Sequence, residues 1–97
     1  MKGRPAHEAI ELRAGDMLCI IDGLGMEVVA RYGQLIVTQE QDPEDRVIAP
    51  GAAVRVTRQG KTIVAAWCDA SAMLHGRAAS IALKRYTGSM PLVLYRM

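Results

Sequence analysis

Phenylalanine is absent from this 97-residue chain, tryptophan occurs once and tyrosine three times. Any core therefore has to be built from Val, Ile, Leu, Met and Ala. Histidine is equally scarce, with only His7 and His75. A facial set of two closely spaced imidazoles, a carboxylate and a third imidazole is out of reach of two isolated histidines. The two cysteines, Cys19 and Cys68, are far apart in apolar segments. They form neither a C-x-x-C pair nor a zinc-ligand spacing, and read as two buried, reduced thiols acting as small hydrophobes. A mixed site drawn from Cys19, Cys68 and His75 is the remaining metal alternative. No apolar run approaches the ~18 residues of a membrane helix. The opening residues, MKGRPAHEAIELRAGD, hold no long apolar stretch of the signal-peptide kind. The cytoplasm is the expected compartment, with no membrane partner.

What is present is an apolar composition of 51%, too high for a disordered tail. A chain of 97 residues makes one domain. It buries somewhat over ~60% of its unfolded surface, enough for one modest core without staples. The net charge is +2, unevenly distributed: residues 1–51 carry five Lys/Arg against nine Asp/Glu, residues 52–97 seven against one. Such a split can steer head-to-tail association or an acidic partner. In an antiparallel β fold, however, distant segments become neighbours, and the two signs are expected to mix in space.

The periodicity is that of strands. Residues 1–7, with Gly3 and Pro5, read as a loose arm, and 8–97 as a single β-domain. Ile10 and Leu12 alternate with Glu11 and Arg13; Met26, Val28 and Ala30 alternate with Glu27 and Arg31; Val54 and Val56 alternate with Arg55 and Thr57. Met17–Ile21 is an unbroken apolar run, and Leu35–Gln39 and Thr62–Trp67 are further strands. Turns recur every 6–12 residues at Ala14-Gly15-Asp16, Asp22-Gly23-Leu24-Gly25, Tyr32-Gly33-Gln34 and Gln59-Gly60-Lys61. Residues 69–87 fit two patterns: a helix rich in alanine, capped by Asp69, or strands interrupted at Gly76. Strands are preferred, since they extend an existing sheet. Pro91–Tyr95 reads as a last strand confined to an edge or a strand start. The expected fold is all-β: a small antiparallel barrel or sandwich of seven to nine strands, with a short C-terminal helix as the alternative.

Residues 33–51, GQLIVTQEQDPEDRVIAPG, carry the densest motif. A short apolar strand enters an acidic turn, Asp42-Pro43-Glu44-Asp45, and a Pro50-Gly51 corner closes the block. Gly33, Leu35, Val37, Thr38, Gln39, Glu40, Asp42, Pro43, Asp45 and Gly51 match the pattern G-x-[VL]-W-[IV]-T-Q-E-G-D-P-x-D-x-x-[LV]-x-x-G. On these residues the chain resembles a bacterial family of small uncharacterised cupin-like proteins. Ile36 replaces the family's usual Trp and Gln41 its Gly. The resemblance covers a core of about residues 8–75 and leaves 76–97 as an extension. It implies a short β-roll and brings no catalytic residues, metal or cofactor with it. The cupin metal set would need histidines that this chain does not have.

Other chemistry is weakly signalled. Ser71, Ser80 and Ser89 sit in no nucleophile elbow. Gly23 and Gly25 precede a strand rather than a helix, so they are a turn and no phosphate cradle. Glu40, Asp42, Glu44 and Asp45 offer clustered oxygens for a hard cation, but Asp42-Pro43 is also a turn former, and the structural role is preferred. The basic second half (Arg55, Arg58, Lys61, Arg77, Lys84, Arg85) lacks the interleaved aromatics of a single-strand binder. The leading expectation is a non-enzymatic binding or protein-interaction module, with self-association as a homodimer or a protein partner. Its expected surface is a mouth near residues 33–51, with Gln39, Glu40 and Arg46 as polar contacts and Trp67 as an apolar wall. The alternatives are a metal-independent, sugar-type ligand binder or enzyme using the interior, and a single-stranded nucleic-acid binder.

Overall fold

The computed structural model describes residues 4–6, 9–87 and 90–96. Among them the chain is entirely β, with no helix. The strands are β1 (Arg4–Ala6), β2 (Ala9–Leu12), β3 (Met17–Ile21), β4 (Glu27–Tyr32), β5 (Leu35–Gln39) and β6 (Asp45–Ile48), followed by β7 (Ala53–Arg55), β8 (Lys61–Ala66), β9 (Ala70–Ala78), β10 (Ser80–Thr87) and β11 (Met90–Arg96). One sheet has the order β1-β9-β4-β7, with β2 also on β9; the other runs β11-β10-β3-β8-β5-β6. The pairings are antiparallel. The two sheets form an open sandwich and do not close into a barrel.

The expected all-β architecture is therefore what forms, and residues 70–87 are strands. Strand β9 carries straight through Gly76 and pairs with β4 and β1. The segment read as a loose arm includes β1, whose Arg4, Pro5 and Ala6 lie in register with Ala78, Arg77 and Gly76; the rest of residues 1–7 lies outside the described residues. Strand β11, containing Pro91, is an edge strand, where a residue without an amide hydrogen breaks no ladder.

The core is aliphatic, as the absence of Phe requires. Leu18, Ile20, Leu35, Val37 and Val64 from one sheet meet Leu12, Met26, Val28, Ala72 and Leu74 from the other, all 2% exposed or less. Ala30, Ala70 and Ala72 keep the sheets close where no aromatic is available to fill a wider gap. Alternation fixes which side chains turn inward: Met26, Val28 and Ala30 are buried, as their spacing predicts. The charge halves interleave. Strand β4 lies between β9 and β7, and β3 lies between β10 and β8.

Candidate functional site

Strand alternation leaves each sheet an outer face, and the two differ in chemistry. On the sheet containing β4 and β9, the outward phase carries Glu11, Glu27, Arg31 and Arg55 around a row of Ala9, Met73, Val29 and Ala53. On the six-stranded sheet, cross-strand register partners share a face. Lys84, Met17, Ala65, Ile36 and Val47 form one row across β10, β3, β8, β5 and β6. Ala82, Cys19, Ile63, Thr38 and Asp45 form the next. Leu18, Ile20, Val64 and Val37 point the other way, into the core. Met17, Ile21, Ile36, Ile63 and Ala65 are half-buried, Val47 is 54% exposed, and Trp67, which follows β8 in the phase of Ile63 and Ala65, is 68% exposed. Monomeric proteins seldom leave a continuous apolar row of this kind to water.

The residues expected at a mouth near 33–51 do not converge. Gln39 is 3% exposed and in the core phase of β5. Its Oε1 accepts the Thr57 amide hydrogen at 2.9 Å and that of Arg58 at 3.1 Å, tying β5 to the turn after β7. Glu40 accepts the Lys61 amide hydrogen at 2.8 Å, and its own amide donates to the Lys61 carbonyl, also at 2.8 Å. Arg46 is engaged by the acidic turn, 3.5 Å from Asp42 and 3.7 Å from Glu44. Trp67 lies at the opposite end of β8: Gln39 is level with Thr62, whereas Ala66 is level with Leu35. Five residues of extended chain put roughly 16 Å between the two ends. Thr38, Gln39, Glu40, Lys61 and Ile63 border a shallow, open hollow of about 220 Å³. It is walled on one side by a glutamine whose acceptor is already occupied.

The acidic turn is built as its sequence suggests. The Glu44 amide donates to Asp42 Oδ1 at 3.0 Å, closing an Asx turn. That hydrogen bond, with Arg46 beside it, holds the Asp42 carboxyl below the usual carboxylate range. Gln41, where the resembled pattern has glycine, has φ of +63°. Thr38 donates to Asp45 Oδ1 at 3.1 Å. Among the described residues no group of three His, Cys, Asp or Glu side chains comes together to hold a metal. Cys19 is buried in β3 as expected, but Cys68, also expected to be buried, is exposed because it falls in the turn after β8 rather than within a strand.

Two polar features went unread in the sequence. Asp16, at the head of β3, is 1% exposed; its Oδ2 accepts the Arg13 amide hydrogen at 2.9 Å and lies 3.4 Å from Arg85 Nη2. Tyr32 donates its hydroxyl to Glu11 across the strand that carries Ser71. The carboxylate of Glu11 pushes the Tyr32 phenol above its ordinary range. Ser71 lies fully buried, its Oγ without a partner among the described residues.

The Gln39 geometry has a direct consequence. Gln39→Leu removes the acceptor for two amides and should lower unfolding free energy by about 2–3 kcal/mol. Gln39→Glu, which keeps the acceptor, should cost less. Urea unfolding of both variants decides: a Gln39→Leu protein as stable as wild type would show that Gln39 is free for another role.

No family model matches this chain, and no curated protein sequence matches it.

Proposed function

We infer that this chain is a non-enzymatic protein-interaction module, and that its contact surface is the outer face of the six-stranded sheet. The observation that carries the reading is the contrast between the two outer faces. One sets a row of Ala9, Met73, Val29 and Ala53 among the charges of Glu11, Glu27, Arg31 and Arg55; the other presents Met17, Ile36, Ile63 and Ala65 and leaves the large side chains of Val47 and Trp67 exposed. A surface of that composition, apolar in the middle and charged only at its edges, has the anatomy of a contact patch. The interior supports the same reading, because the space between the sheets is filled by an aliphatic cluster. The polar residues first expected at a mouth are spent on turns and ladders.

The test is position-specific photo-crosslinking in cells producing the full chain. A photoreactive residue at Val47 should give a discrete protein–protein product. The same residue at Arg55, exposed on the other sheet, should not, and adding Ile63→Lys should remove the Val47 product. No product from Val47, or equal products from both positions, would end the reading.

A further inference from the structure

We draw no further inference here: the strongest candidate, the apolar outer face of the six-stranded sheet around Ile63 and Ala65, belongs to the site already described, and nothing in the structure shows what covers it.

Discussion

Gly33→Ala should cost about 3–5 kcal/mol, close to the whole stability of a domain this size. Gly33 has φ of +72°, a region that side chains rarely enter, and it turns the chain from β4 into β5. A Cβ there would lie 2.5 Å from the Asp69 carbonyl oxygen, 2.7 Å from Ala70 Cβ and 2.8 Å from Ala70 Cα. Two of these are backbone atoms at the entry to β9 and cannot swing aside. Relief would require β9 to move, and β9 is paired with β1, β2 and β4. Gly51→Ala is the control. Its φ is +89°, but nothing lies within 4 Å of the added carbon, so it should lose only about 1 kcal/mol of backbone strain. Thermal unfolding by circular dichroism separates the two. At roughly 4–8 °C per kcal/mol, Gly33→Ala should lower Tm by more than about 12 °C and Gly51→Ala by about 4–8 °C. Equal shifts would mean that the contact between Gly33 and the Asp69-Ala70 backbone is not the constraint.

The fold was legible because each inward set repeats with period two: Met26, Val28, Ala30; Leu35, Val37; Val54, Val56. Residues 69–87 were harder because their alanines favour a helix while Gly76 and the Ile81, Leu83 alternation do not, and only the ladder to β3 and β4 decides. The site was less legible, and the reasons are specific. Gln39 stands in the inward phase of LIVTQ, two places beyond Val37, so its burial was readable, yet its motif neighbours Glu40 and Asp42 suggested a polar lip. The outer face did leave a trace: Met17–Ile21 is apolar at every position, although an antiparallel strand with one wet face should alternate. Ile63 and Ala65 among Thr62, Val64 and Ala66 repeat the signal on the adjacent strand. What one-dimensional order could not give is that these strands lie side by side, β3 and β5 on either side of β8. That is a property of register, set by pairings as distant in sequence as Met17 and Lys84, 67 positions apart.

The Asp16–Arg85 pair is the second place where one substitution should have a large effect. Asp16 falls in the core phase of β3, with Leu18 and Ile20, but at the strand's end. Its carboxylate is almost wholly out of water, with Oδ2 on the Arg13 amide and near Arg85; Oδ1 and Arg85 Nε have no partner among the described residues. The pair is thus a buried anion compensated from one side. Theory for such pairs is asymmetric: removing one partner strands a charge, whereas replacing both with apolar groups can be neutral. The Arg85 side chain is 32% exposed, so water screens part of the attraction. Arg85→Met should still cost about 2–4 kcal/mol, since a desolvated carboxylate keeps only one amide. Asp16→Leu alone leaves a guanidinium that can turn toward solvent, and should cost less than Arg85→Met, the Arg13 amide being its main loss. The double variant should be more stable than the sum of the single losses predicts, with a coupling of at least about 1 kcal/mol. Urea unfolding of the four proteins measures that coupling. Additive losses would show that Arg85 does not compensate Asp16, and that the acid is held by the Arg13 amide alone.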